Sequence, residues 1–130
     1  IYTADGIKYS DAISVTIESA TLNGDTLSVK FSAAESPDIE GVDAADIVPT
    51  VMVGLYGWNT KDFVVGAHER LFDDNGDGTI DSKDSRTLEF KVGAEHPRMK
   101  TVSAEGGSWE ITADLSPWKD LIANGTVKRV

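Results

Sequence analysis

The stretch "DAISVTIESATLNGDTLSVKFS", residues 11–32, decides the fold class. On either side of Asn23-Gly24 the apolar side chains alternate with polar ones, at Ile13, Val15, Ile17, Leu27, Val29 and Phe31. A period of two is typical of a β-strand that buries one face. The Asn-Gly pair tolerates positive φ at both central positions of a type I′ turn. The stretch therefore predicts a β-hairpin that turns at Asn23-Gly24.

Other strand-like segments follow the hairpin, at 50–56, 61–67, 86–92, 108–114 and 126–130. The intervening residues 33–49 are acidic and broken by Pro37, Gly41 and Pro49, which predicts a long connection with one short helical turn. Short strands at such spacing indicate antiparallel packing rather than βαβ units. The sequence therefore predicts an all-β fold, an antiparallel Greek-key β-barrel or sandwich.

One short helix is predicted near the C-terminus, in "SPWKDLIANG", residues 116–125. Ser116 is the expected N-cap and Pro117 the first helical residue. Gly125 follows the expected end, where glycine commonly terminates a helix.

Composition limits the classes of partner. The chain has 22 acidic and 12 basic residues, which give a net charge of −10. This charge repels nucleic acid and anionic lipid and favours cations as partners. The absence of cysteine excludes a disulfide or a C-x-x-C-H haem site within 1–130. No apolar run approaches the roughly 20 residues that span a bilayer. Because the chain starts at Ile1 and stops in strand-like "GTVKRV", we expect 1–130 to be a single β-domain from a longer protein.

An acidic loop, "DDNGDGTIDSKD" at residues 73–84, carries the clearest functional pattern. Calcium takes six to eight oxygen ligands, which an EF-hand loop supplies at positions 1, 3, 5, 7, 9 and 12 with glycine at position 6. The corresponding ligands are Asp73, Asn75, Asp77, the Thr79 carbonyl, Asp81 and Asp84. Gly78 occupies the sixth position and Ile80 the eighth. The spacing therefore predicts a Ca²⁺ site.

Two departures distinguish this loop from a true EF-hand. Its twelfth residue is Asp84 instead of glutamate, and its flanks, 63–72 and 86–92, read as strands instead of helices. We therefore expect an EF-hand-like loop inserted in a sheet, with carboxylates that repel one another unless a cation is bound. A weak site of this kind would be filled outside the cytoplasm, where calcium is plentiful. The alternative is a solvated turn, since Asp, Asn and Gly also favour turns.

The remaining chemistry-bearing residues have ordinary structural interpretations. His68 and His96 are distant in sequence and no Ser/His/Asp set accompanies them, so we expect no catalytic site. Four aromatic residues are expected to pack in the core or at its rim, or else to form a stacking platform for a sugar or flavin: Tyr56, Trp58, Trp109 and Trp118.

Three phrases together resemble one family. They are "VTIESATLNGDTLSVKFSA" (15–33), "VGLYGWNTKDFVVGAHER" (53–70) and "GGSWEITADLSPWKDLIANGTVKRV" (106–130). They are similar to the haem-free β-domains of the outer-membrane decahaem (multihaem) c-type cytochromes of the OmcA/MtrC family. The resemblance spans roughly 13–130 and includes no invariant catalytic motif.

This resemblance implies a Greek-key β-barrel domain of a cell-surface electron-transfer protein. In that family such domains alternate with domains that carry haem c, on the outer-membrane surface of bacteria. The implied role is non-catalytic scaffolding of haem-carrying domains of the same chain, with a docking surface for mineral, flavin or outer-membrane partner proteins. Lacking cysteine, residues 1–130 hold neither a haem nor the paired cysteines of some family β-domains.

A second hypothesis belongs to a different class of protein. It is a carbohydrate-binding or adhesive Ig-like module of a secreted protein, in which the calcium loop is likewise structural. A coplanar row of exposed Tyr56, Trp58 and Trp109 would favour it, whereas burial of these rings would favour the cytochrome β-domain.

Overall fold

The computed structural model describes residues 6, 8–36, 41, 43–59 and 61–130. Its strands are β1 (Ile13–Asn23), β2 (Thr26–Glu35), β3 (Thr50–Met52), β4 (Leu55–Tyr56), β5 (Phe63–Val65), β6 (Glu89–Lys91), β7 (Met99–Glu105) and β8 (Ser108–Asp114). Its helices are α1 (Tyr9–Ala12) and α2 (Lys119–Ala123), and 3₁₀ turns lie at Ala44–Asp46 and Ser116–Trp118. This confirms the predicted all-β class with a short helix near the C-terminus. The choice between sandwich and barrel stays a prediction.

The described strands form three antiparallel sheets that share one hydrophobic core. The largest has the strand order β1-β2-β8-β7, and the other two are β3-β6 and β4-β5. Phe31 of β2 and Ile111 of β8 join Phe90 of β6 and Leu55 of β4 in a single buried cluster. Apolar burial of this kind is the main favourable term in folding, and it ties the two short sheets to the long one.

The hairpin forms as predicted, but its turn lies one residue later. Asn23 pairs with Thr26, so the two turn residues are Gly24 and Asp25. Gly24 has φ of 62°, and no described residue other than glycine has positive φ. A two-residue turn with positive φ at its first central position only has the pattern of type II′, not the predicted type I′.

The alternating pattern buries the apolar residues of β2 but not those of β1. Leu27 and Phe31 are buried, whereas Val15 is 66% exposed and Ile17 is 67% exposed. β1 lies at one edge of the four-stranded sheet, beyond the part that the two small sheets cover. The expectation that one face of β1 is buried is therefore wrong, because burial depends on a second layer as well as on periodicity.

Several predicted strand boundaries are wrong. The segment 50–56 is interrupted by Val53 and Gly54 between β3 and β4, and 126–130 forms only an isolated bridge between Arg129 and Tyr56. The segments 61–67 and 86–92 shorten to β5 and β6, while 108–114 matches β8. Strand β7 was missed because its alternation is weak: a bulge interrupts its register, and Val102 is 57% exposed.

The sequence predicted the C-terminal end of helix α2 correctly but not its N-terminal end. Gly125 has φ of 81° just beyond α2, as predicted. Ser116 is not an N-cap, because a 3₁₀ turn precedes α2, and its own N–H donates to the Asp114 carboxylate at 2.9 Å. Trp118 is buried and packs edge-on against Phe72, with ring centroids 5.8 Å apart. None of the described helices is both long enough and apolar enough to cross a membrane.

The connection between β2 and β3 contains the predicted helical turn, at Ala44–Asp46. The carboxylate of Asp43 accepts a hydrogen bond from the Ala45 N–H at 2.9 Å, which caps this turn. Pro37, predicted to break this connection, lies outside the described residues.

Candidate metal-binding loop

The acidic loop, residues 73–84, lies between β5 and β6 without helix or strand of its own. Neither neighbouring strand adjoins it directly, because β5 ends at Val65 and β6 begins at Glu89. Gly76 and Gly78 have φ of 73° and 85°, conformations that side-chain-bearing residues rarely adopt. The sixth position of the loop thus has the backbone geometry that a sharp turn requires.

Carboxylates at the two ends of the loop bind its backbone. The Asp73 carboxylate accepts hydrogen bonds from the N–H groups of Asp77 at 3.1 Å and Gly78 at 2.7 Å. The Asp84 carboxylate accepts from Asn75 at 3.3 Å and Asp81 at 2.7 Å. The first and twelfth positions therefore hold the loop in its wound form.

The middle positions form local turns. The Asn75 side-chain oxygen accepts from the Asp77 N–H at 3.1 Å, and the Asp77 carboxylate accepts from Thr79 at 2.9 Å. The Asp81 carboxylate accepts from Lys83 at 2.8 Å. A side chain that bonds the backbone two residues onward is the ordinary turn chemistry of Asp and Asn.

The predicted ligands differ in burial. Asp84 is only 5% exposed and Asp81 is half-buried, whereas the other four, Asp73, Asn75, Asp77 and Thr79, are exposed. Within the described residues, no group of three or more His, Cys, Asp or Glu side chains is close enough together to hold a metal ion. The oxygen donors suit a hard cation in type and spacing, and the carboxylates of the loop accept hydrogen bonds from its N–H groups.

Arg98 fastens the loop to the body of the protein. Its guanidinium donates to both carboxylate oxygens of Asp74, at 2.8 and 3.0 Å, and its Nε donates to the Thr87 carbonyl at 2.9 Å. The Arg98 guanidinium also lies 4.4 Å from the centroid of the Phe72 ring. The hydrogen bonds from Arg98 hold the pKa of Asp74 below its ordinary value. Sequence reasoning missed this pair, because Asp74 occupies the non-ligating second position of the loop.

The chain leaving the loop is fastened as well. Arg70 Nε donates to the main-chain carbonyl of Asp84 at 3.0 Å. Thr87, fully buried, donates through its hydroxyl to the Glu69 carbonyl at 2.7 Å and accepts from the Leu71 N–H at 3.2 Å. The segments before and after the loop are therefore joined through polar groups that the protein shields from water.

His96 supports the segment that carries Arg98. Its Nε2 lies 2.7 Å from the Arg86 carbonyl, so Nε2 carries the proton and donates. Its Nδ1 accepts from the N–H groups of Arg98 at 3.0 Å and Met99 at 3.1 Å. Burial lowers the pKa of His96, although the bond to the Arg86 carbonyl opposes this effect. The geometry indicates a neutral structural imidazole.

His68 is separate from this arrangement. Its ring is largely exposed and its Nδ1 contacts the carboxylate of Glu89. The two imidazoles are thus held by different partners and share no contact in the described part of the chain.

The structure does not contain the row of exposed rings, Tyr56, Trp58 and Trp109, that would favour a carbohydrate-binding module. Trp109 is 6% exposed and stacks on Phe31 inside the core, with ring centroids 5.3 Å apart. Trp58 is 81% exposed, and the Lys128 ammonium lies 4.4 Å from its ring centroid. Tyr56 is half-buried. The arrangement does not favour a carbohydrate-binding module, which would need several exposed rings together.

We compared the chain with protein families, characterised proteins and solved structures, and none of the three comparisons found a match.

Proposed function

We propose that this chain is a non-catalytic β-domain stabilised by Ca²⁺, in which the acidic loop acts as a structural clamp. The observation that carries the proposal is the attachment of the loop to the body. Arg98, 9% exposed, binds Asp74 within the loop, and Arg70 binds the carbonyl of Asp84 at its end. Because these contacts lead into buried structure, a cation that orders the loop would also stabilise the fold.

Calcium suits the loop through its donor chemistry. The residues that would hold the ion are Asp73, Asn75, Asp77, Thr79 through its carbonyl, Asp81 and Asp84. Their carboxylates repel one another, and a divalent cation removes that repulsion. A dissociation constant of about 0.1–1 mM, in about 1 mM calcium, would add roughly 0.4–1.4 kcal/mol to the unfolding free energy. Stabilisation of that size favours a structural role over a signalling role.

The wider context proposed here is a multihaem cytochrome of the bacterial outer-membrane surface. Support comes from the three phrases that resemble OmcA/MtrC-type β-domains and from a loop suited to calcium-rich surroundings. In this proposal the domain scaffolds neighbouring domains that carry haem c, and docks mineral, flavin or outer-membrane partner proteins. An antibody raised against the domain should detect a haem-staining protein on the cell surface; a parent protein without haem would contradict this context.

Thermal melting tests the clamp directly. Replacing EGTA with millimolar calcium should raise the melting temperature by about 2–6 °C, and equimolar magnesium should have a much smaller effect, because it demands near-ideal octahedral geometry. In calorimetry, Asp77→Ala should lower calcium affinity at least about tenfold, equivalent to about 1.4 kcal/mol. Glu18→Ala, which removes an exposed carboxylate on β1, serves as the matched control.

Two results would contradict calcium binding by this loop. One is the same melting temperature in EGTA and calcium. The other is undiminished calcium binding by the Asp77 variant. Either would identify residues 73–84 as a solvated turn.

A further inference from the structure

The inner face of β1 is apolar and uncovered. Its register pairs Val15 with Ala33 and Ile17 with Phe31, so these side chains share the face on which Phe31 enters the core. Val15 and Ile17 are nonetheless about two-thirds exposed, at 66% and 67%. We call Val15, Ile17 and Ala20 the β1 face.

A groove separates the β1 face from β3. It consists of two adjoining cavities of about 630 and 420 Å³ that share the lining residues Val15, Phe31, Thr50 and Val51. Met52, 62% exposed, lines the smaller cavity from the β3 side. We call this space the β1–β3 groove.

One edge of β3 has no partner strand in the described part of the chain. Among the described strands, β3 pairs with β6 alone, and the hydrogen bond from the Val53 N–H to the Leu88 carbonyl, at 2.9 Å, continues that pairing. The N–H and C=O groups of successive residues in a strand point in opposite directions. Those of Val51 therefore point toward β6, whereas those of Thr50 and Met52 point away from it. By the same alternation, Thr50 and Met52 stand opposite Lys91 and Glu89 in non-hydrogen-bonded pairs. Among the described residues, no main-chain hydrogen bond outside the strand pairs involves Thr50 or Met52.

We propose that the β1–β3 groove binds an extended strand of another polypeptide, with alternating aliphatic side chains and a basic residue at one end. The strand would pair with the free edge of β3 and place its aliphatic side chains on the β1 face. This is β-strand addition, in which main-chain hydrogen bonds contribute affinity and alternate side chains contribute specificity. The groove supplies both requirements: unpaired main-chain groups and an apolar surface.

Charge and area favour such a strand over a second copy of the protein. The only charged residue that lines the groove in the described part of the chain is Asp46, and a second copy would bring another net charge of −10. The exposed apolar lining of the groove consists mainly of Val15, Ile17 and Met52, which is small beside the roughly 800 Å² that a stable protein interface buries on each partner. A single strand with a basic residue is compatible with both the negative charge and the small apolar area of the groove.

An NMR titration of the 130-residue chain tests the proposal. The probe is the peptide acetyl-Lys-Val-Thr-Val-Thr-Val-Thr-amide, and we expect saturable amide shifts at Thr50, Met52, Val15 and Ile17. Methylating the alternate peptide nitrogens that face β3 should weaken binding at least tenfold, because those N–H donors are lost. Replacing the lysine with glutamate should also weaken binding, through repulsion by Asp46.

Paired variants locate the binding surface. Val15→Asp should weaken peptide binding at least tenfold without unfolding the protein, because Val15 is already 66% exposed. Val102→Asp, the matched change on β7 at a residue 57% exposed, should bind the peptide normally. Absence of binding at millimolar peptide, or equal binding of the methylated peptide, would overturn the proposal. So would a dimer in sedimentation that Val15→Asp dissociates, since the occupant would then be a second copy.

Discussion

His96 is a half-buried titratable side chain that supports the segment carrying Arg98. Its Nδ1 accepts two main-chain N–H groups and its Nε2 donates to a carbonyl, which only a neutral ring with the proton on Nε2 can do. Burial has the largest influence on the pKa of His96 and lowers it. The positive charge of Arg98 lowers this pKa further, and the negative charge of Asp74 raises it. Protonation would therefore oppose the hydrogen bonds that support Arg98.

Stability should consequently fall when the solution becomes mildly acidic. Since the pKa of His96 is lower in the folded protein than its ordinary value of 6.5, the unfolded chain binds more protons between the two values. The contribution of His96 is complete above pH 6.5 and is lost as the pH falls through the folded pKa. Urea denaturation at pH 7.5 to 5 should show this decline, and His96→Gln should flatten it.

His68→Gln is the matched control, because it removes a largely exposed imidazole. An equal flattening by both variants would contradict the assignment to His96.

The β1–β2 hairpin illustrates how a turn is set by one residue. Of the two turn residues, only Gly24 has positive φ, and an added Cβ there would meet no neighbouring atom within 4 Å. Glycine is therefore required by the backbone conformation and not by crowding from neighbouring atoms. Asp25, the second turn residue, has ordinary backbone geometry.

Alanine substitutions separate the two turn types. Gly24→Ala should lower the unfolding free energy by about 1 kcal/mol, because alanine is strained at positive φ. Asp25→Ala should lower the unfolding free energy by only a few tenths of that amount. Urea denaturation measures both values, and equal costs would indicate a type I′ turn, in which both central residues need positive φ.

At the scale of the whole molecule, an ion pair that is largely shielded from water joins the loop to the sheets. The side chains of Arg98 and Asp74 are 9% and 13% exposed, and Arg98 also bonds the carbonyl of Thr87 ahead of β6. Removing one member of such a pair leaves a shielded charge without a partner. The resulting loss of stability should therefore extend beyond the loop to the sheets.

Arg98→Ala should lower the unfolding free energy by about 3 kcal/mol, measured by urea denaturation. It should also reduce the rise in melting temperature that calcium produces, because an ordered loop would no longer be attached to the sheets. Lys100→Ala, two residues further along the chain at an exposed position of β7, should change both quantities little. An Arg98 variant as stable as the Lys100 variant would show that the loop is not attached through this pair.

The amino-acid sequence by itself determined the features that depend on neighbouring residues. Alternation predicted the hairpin strands and β8, Gly125 marked the end of α2, and the turn residues of 73–84 predicted a tightly wound acidic loop. These features follow from side-chain periodicity, allowed φ and ψ angles and the hydrogen bonds of short polar side chains. All of these forces act over a few residues.

Only the tertiary structure decided what distant residues do together. Val15 and Phe31 belong to the same alternating pattern, yet one is exposed and the other buried, because the second layer covers β2 and not β1. Asp74 and Arg98 are far apart in sequence, and no local pattern joins them. Burial and long-range pairing depend on which elements pack against each other, and that choice is made by the folded chain as a whole.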